Sequence, residues 1–241
     1  VTDLEEAVRG ADVVAICVPD REVPGVAAEL ASVPLADQAV VFHTSGSLSS
    51  RNLETLRSKN RGVALASAHP LQSFASPKEA MGRMRGVTWS IEGDERALAF
   101  LDGMVAGFGG KPIRIQTDGK PLYHAAAAVA SHYLVAILDV AVSLAEASGM
   151  PRESDIPAFR PLMEGSLANF SRLGAVEGLT GPISRGDTTT VSRHMVAIRT
   201  RLPQVEEVYR ALGRYALQLA QQKKSFPPGA AAEIEALFKG T

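Results

Sequence analysis

Lys120, His124 and Ser131 are three polar groups at the head of and along a stretch, 121–147, built almost entirely of Ala, Val, Leu and Ile. At about 100° per residue they fall within roughly 40° of one another on one helix face, and His132 points about 120° away from Lys120. A lysine and a histidine four residues apart on an apolar helix can hold and pass a proton, provided something reactive docks against that face. Lys120 stands in the first helical turn, where the helix dipole disfavours a cation, and partial burial would add to that. Both effects draw its pKa toward the acid/base range. Pro121 disfavours helical backbone at the residue before it, so Lys120 competes for the role of cap.

The docking partner for that face is expected at the ends of strands. Val18-Pro19-Asp20, His43-Thr44-Ser45-Gly46 and His69-Pro70-Leu71-Gln72-Ser73-Phe74 each follow a short apolar run. Parallel strands share a direction, and open α/β sheets bind ligands beyond their carboxyl ends. The three loops then converge on one mouth carrying two histidines and several hydroxyls. Thr44 and Ser45 also suit capping of a helix over 48–58. Gly178-Leu179-Thr180-Gly181-Pro182-Ile183-Ser184-Arg185-Gly186-Asp187 is a Gly/Pro loop ahead of another helix, a place for an anion or a polar substrate group, with Asp187 or Thr188 as its cap.

The elements that hold these groups divide into two kinds. Strands are predicted over 12–18, 38–43, 63–68, 86–92 and 111–115, alternating with helices over 3–9, 22–32, 48–58 and 94–107. This is the pattern of a mostly parallel sheet covered by helices. The alternation in 86–92 places that strand near an edge. From Asp118, a plausible cap, the patterns are helical only: 119–148, 153–173, 187–200, 203–223 and 229–239. The long apolar helix is interrupted by polar groups and reads as the core of a large domain or an oligomer rather than a membrane span.

With 25 Lys plus Arg against 26 Asp plus Glu, the net charge of −1 gives no footprint for nucleic acid. The single cysteine, Cys17, excludes an intramolecular disulfide framework and is expected as a buried core thiol. The five histidines show no metal-ligand spacing, and no G-x-S-x-G elbow is present. The expected location is cytoplasmic.

Taken in order, Ala11-Asp12-Val13-Val14, Val18-Pro19, His43-Thr44-Ser45-Gly46, His69 to Phe74, Lys120-Pro121-Leu122-Tyr123-His124-Ala125-Ala126 and Leu179 to Asp187 resemble a bacterial Rossmann-like family. The helical part of that family is catalogued as domain of unknown function 2520. The resemblance covers essentially the whole sequence. It extends more distantly to the 6-phosphogluconate dehydrogenase superfamily, with its β-hydroxyacid dehydrogenases and pyrroline-5-carboxylate reductases. It implies an α/β plus all-α chain. Residues 1–117 would be the remainder of an NAD(P)-binding Rossmann domain without its first β-α-β unit, and 118–241 a helical substrate and dimerisation domain. The family's opening strand and G-x-G-x-x-G turn are not in this sequence, so NAD and NADP are not distinguished.

The resemblance further implies that Val18, Pro19, Asp20, His43, Thr44, Ser45 and Gly46 border the cofactor. His69, Gln72, Ser131, Thr180 and Arg185 would meet substrate, and Lys120 with His124 would form the acid/base pair. In β-hydroxyacid dehydrogenases an asparagine stands where His124 does, which leaves the substrate open between a hydroxy or keto acid and an imine. The expected function is an NAD(P)-dependent dehydrogenase or reductase acting on a small molecule as a homodimer, without metal, membrane or nucleic acid. A non-catalytic NAD(P)-responsive or scaffold protein is the alternative, and a deazaflavin-dependent reductase a third.

Overall fold

The computed structural model describes residues 3–74 and 76–239. Its contacts divide the chain into two compact units, Val1–Leu134 and Val135–Thr241. Strands give way to helices between Arg114 and Thr117, and the seam between the units falls further on, inside the long helix.

The first unit is built on β1 (Val13–Ile16), β2 (Val40–His43), β3 (Ala64–Pro70), β4 (Thr88–Gly93) and β5 (Lys111–Arg114), hydrogen-bonded in that order. β1, β2 and β3 are mutually parallel, in registers that include Val13↔Val40 and His43↔Ser67. Their carboxyl ends therefore open on one edge, as the apolar runs predict. β4 pairs antiparallel with β3 and parallel with β5. The strand expected near an edge is thus the point where the sheet reverses direction, and β5 lies outside it.

Side chains alternate across a strand, so each face has its own core. On one face Val14, Ile16, Val41 and Leu65 are covered by α2 (Val23–Leu30) and by the 3₁₀ segment Ser50–Ser58, which supplies Leu53 and Leu56. On the other, Phe42, Ala66, Trp89 and Ile91 pack with Leu98, Leu101 and Val105 of α4 (Glu95–Gly107). Two short helices, α1 (Leu4–Val8) and α3 (Pro77–Arg83), complete the covering; no periodic pattern announced α3.

Cys17 corrects the expectation of a core thiol, because it is exposed. β1 is the edge strand; Val13 and Ala15, and Cys17 just after it, lie on the same face as Val40 and Phe42, but the α4 core does not extend as far as β1.

The β3–β4 pairing needs a glycine at its end. Gly93 has φ 140°, and a Cβ there would lie 2.3 Å from the Leu65 carbonyl oxygen and 2.6 Å from Ala66 Cα. Both obstacles are backbone, so neither rotates away. Gly93→Ala is expected to destabilise the protein by about 3 kcal/mol or more, read as a lower urea midpoint with an unchanged slope.

The long helix begins as α5 (Lys120–Ala128), passes through a π segment (Val129–Tyr133) and ends as α6 (Leu134–Ser148). By length and composition alone, the segment Thr117–Ser148 could cross a membrane. It is not a buried core helix: Leu122 is 79% and Val135 67% exposed.

In the second unit, α7 (Arg152–Gly178) is kinked at Gly174, where φ is 75°. Ile156, Leu162, Leu167 and Phe170 of α7 are also exposed. α8 (Thr188–Arg201), α9 (Glu206–Ala220) and α10 (Ala230–Lys239) enclose Val191, Met195, Leu217, Ile234 and Phe238. Asp187 caps α8, accepting from Thr190 N at 2.9 Å.

Candidate active site at the carboxyl ends of the parallel strands

Strand register builds a polar row at the end of an otherwise apolar face. His43 pairs with Ser67 and Ser67 with Glu92, so the three side chains stand abreast on β2, β3 and β4. All three are buried. Buried polar groups need partners, and this row has them. Glu92 accepts from Ser50 N at 2.7 Å, Ser50 Oγ at 2.9 Å and Thr117 Oγ1 at 2.8 Å. That carboxylate ties the loop after β2 to the turn preceding the long helix.

Lys120 completes the row from above. It has helical backbone, φ −51° and ψ −46°, with Gly119 as the cap, so neither Asp118 nor Lys120 takes that role. Asp118 is instead paired with Arg51. The Lys120 side chain is 1% exposed, and Nζ donates to Ser45 O at 2.8 Å and Ser67 Oγ at 2.7 Å. An ammonium has three N–H groups, and these two bonds fix its direction. Burial lowers its pKa to about 8, against the opposing charges of Glu92 and Asp20.

The loop after β2 is held from within. His43 is fully buried, with Nε2 bonded to Ser49 O at 3.1 Å and Nδ1 accepting from Ser45 N at 3.2 Å. Both ring nitrogens are spent on backbone, so the His43 side chain shapes the loop. Ser45 likewise turns its hydroxyl inward, accepting from Ser47 N and Leu48 N at 3.2 and 3.0 Å. It closes a turn rather than capping the 3₁₀ segment, whose cap position is Ser49. Gly46 lies under two imidazoles; a Cβ there would sit 2.8 Å from His124 Cδ2 and 2.9 Å from His69 Nε2. Val18 and Thr44 are half-buried, and Pro19 and Asp20 exposed, along the same open edge. Asp20 accepts from Ser47 Oγ at 2.6 Å. Burial pushes its carboxyl up, and the Ser47 and Ser45 hydroxyls together with His124 and His43 outweigh that, holding it below its usual range.

Beyond this ledge is a cavity of about 590 Å³ lined by His69, Leu71, Gln72, Ile113, Tyr123 and His124, among others, and floored by alanines of the long helix. Ser131 and His132 both line it. The expectation that His132 faces elsewhere assumed a regular α-helix. The π segment turns less per residue, so adjacent positions share one side. Ser131 Oγ donates to Ala127 O at 2.8 Å. His69 Nδ1 is hydrogen-bonded to Tyr123 Oη at 2.9 Å, and the two rings meet edge to face. The Lys120 ammonium lies 5.9 Å from the Tyr123 ring centre, one layer behind the cavity wall. Thr180 and Arg185 belong to the second unit, where both are exposed. His194 is a structural histidine, bonded to Tyr209 at 2.7 Å.

Burial, then the charges of Lys120 and His124, hold the His69 pKa down from 6.5 to about 4. The unfolded chain therefore binds the extra proton first, and His69 costs stability as pH falls through that window. The stability difference between wild type and His69→Gln is expected to shift against wild type by up to about 3 kcal/mol between pH 6.5 and 4. Urea midpoints of both proteins across that range measure it.

Sequence reasoning missed Glu92, Ser67 and Tyr123. Glu92 was visible as a lone charge at the end of a strand, where burial demands a partner. Tyr123 was visible as the i+3 neighbour of Lys120. Ser67 carried no signal until the register was known.

The family described as Domain of unknown function (DUF2520) matches residues 87–216. No curated protein matches this sequence. Among solved structures, protein TM1727 from Thermotoga maritima is 28% identical, over 88% of this chain and 80% of that one, with a TM-score of 0.71. Protein BF3122 from Bacteroides fragilis is 19% identical over 90% and 80%, with a TM-score of 0.70. Pyrroline carboxylate reductase from Plasmodium falciparum, solved with NADP bound, is 12% identical over 99% and 81%, with a TM-score of 0.58. The fold is accordingly the one expected, a Rossmann-type, mostly parallel sheet followed by a helical domain.

Proposed function

Because this chain belongs to the DUF2520 family and shares its fold with a reductase solved with NADP bound, we propose that it is an NAD(P)-dependent reductase of a small carbonyl or imine compound, working in the cytoplasm. The observation that carries this reading is the Lys120 ammonium, buried and fixed by Ser45 O and Ser67 Oγ at the sheet edge where open α/β folds take their ligands.

The residues present fit the reacting end of a nicotinamide. Val18 and Pro19 offer an apolar ledge, and the half-buried Thr44 hydroxyl is engaged by no described residue. A bound reduced nicotinamide would supply the hydride. The chain's own groups manage position and proton. Lys120, with its pKa near 8, exchanges a proton close to neutrality. His124 presents ring nitrogens, bonded to no described residue, to the cavity. Ser67 and Glu92 keep Lys120 in place. The alanine floor excludes water from one side of the substrate.

The exposed apolar side chains of α6 and α7 are, in this proposal, the contact surface of a homodimer. Sedimentation equilibrium at micromolar concentration is expected to give twice the chain mass; a monomer would contradict the dimer. Titration of the full-length protein with NADPH and with NADH tests the cofactor. Saturable quenching of Trp89 emission by one of the two is expected, and no binding of either would overturn the reading.

A further inference from the structure

The cavity holds a pair of side chains that the acid/base assignment leaves unused. His69 and Tyr123 are joined at 2.9 Å through Nδ1 and Oη, and both line the cavity. His69 Nε2 has no hydrogen-bond partner among the described residues, and it is not a sealed atom. It lies over Gly46, where even a methyl group would approach within 2.9 Å. A glycine at 46 is what lets the His69 and His124 rings sit this close to the loop. The rest of the lining sorts by kind: Ala126, Ala127, Ala128, Ala130, Leu71 and Ile113 are apolar, and its polar members are imidazoles, hydroxyls and an amide.

Two hydrogen-bond roles are open to a histidine, and its partner decides between them. Tyr123 is half-buried, and burial pushes its phenol above the usual range against a side-chain contact with Ser90, so the phenol keeps a proton that it can give to His69 Nδ1. A phenol that donates to Nδ1 leaves the ring proton on Nε2. In that arrangement His69 is neutral and carries its N–H on Nε2.

We propose that this cavity takes an uncharged ketone, aldehyde or imine with a small apolar body, whose reacting oxygen or nitrogen accepts a hydrogen bond from His69 Nε2, and that Tyr123 is the positioning residue which fixes that tautomer. The substrate half of this rests on the reductase reading; the tautomer and the binding do not. The apolar body lies on the alanine floor, where burial of each methylene stabilises the complex and a carboxylate would lose its water without meeting a lysine or arginine in the lining. His69 polarises the heteroatom and does not give up its proton; Lys120 and His124 keep that role.

The test is a ¹⁵N-histidine NMR measurement on the full chain without cofactor. The probes are 4-methylpentan-2-one and its acid counterpart 4-methyl-2-oxopentanoate, which differ by a carboxylate in place of a methyl group. Wild-type His69 is expected to show a protonated Nε2 and an unprotonated Nδ1. The ketone should shift Nε2 saturably, and the keto acid should bind at least about tenfold more weakly. Tyr123→Phe should convert His69 to a mixture of tautomers and weaken ketone binding about tenfold. A proton found on Nδ1, an unchanged pattern in Tyr123→Phe, or equal or tighter binding of the keto acid would overturn the proposal. Ketone binding with this signature but no oxidation of NADPH would support it and refute the reductase reading instead.

Discussion

Lys120→Met is expected to abolish turnover and to destabilise the fold while leaving cofactor affinity within about twofold. The side chain fits the same space, so the loss isolates the ammonium. Two charge-assisted hydrogen bonds disappear, and Ser45 O, Ser67 Oγ and the Glu92 carboxylate lose a donor or a counter-charge in a buried setting. Removing one member of such an arrangement costs about 3 kcal/mol. If Lys120 manages the proton, kcat should fall by about 10²–10⁴-fold.

The pH dependence separates this from a packing defect. Lys120 has a pKa of about 8 when folded and 10.5 when exposed. Between those values the unfolded chain binds more protons, so Lys120's contribution to stability rises with pH across that window. The gap between wild type and Lys120→Met should therefore widen above pH 8, as read from urea midpoints. A constant gap would show that the lysine is not held in a charge-disfavouring site.

Glu92→Gln is expected to be the second most damaging change. The glutamate accepts three hydrogen bonds, from Ser50 N, Ser50 Oγ and Thr117 Oγ1. A glutamine would turn an amide NH₂ toward at least one of those donors, leaving donor against donor in a buried place. The expected loss is about 3 kcal/mol. Glu92 also opposes the burial that depresses Lys120. Without it the Lys120 pKa should fall further, and the limb of the activity profile set by Lys120 should move to lower pH. Glu92→Asp keeps the charge with one methylene less, so it should lose stability without moving that limb. A limb that stays in place in Glu92→Gln would break the link between the two residues.

How far the sequence foretold this arrangement depends on the kind of information each part needs. The five strands and the covering helices other than α3 were legible, because apolar runs and periodicity report burial directly. Lys120 and His124 were legible as a pair because helix geometry alone sets their spacing. The row His43–Ser67–Glu92 was not, because it exists only through strand register, which joins residues far apart in the chain. The part His43 plays in holding the loop was hidden for the same reason: its buried contacts come from a turn whose path the residue types do not specify. His132 was misplaced because a π segment breaks the periodicity from which its direction was read. Cys17 was misplaced because an apolar strand at a sheet edge reads like one at its centre.

The most direct measurement of the central claim is transfer of deuterium from stereospecifically labelled [4-²H]NADPH, and from its NADH counterpart, by the full-length protein to a panel of small ketones, aldehydes and cyclic imines. The account predicts that at least one compound is reduced with deuterium on the former carbonyl or imine carbon, and that Lys120→Met fails to do so while still binding the cofactor. Tight cofactor binding with no deuterium transferred to any compound, or transfer that Lys120→Met leaves intact, would contradict it.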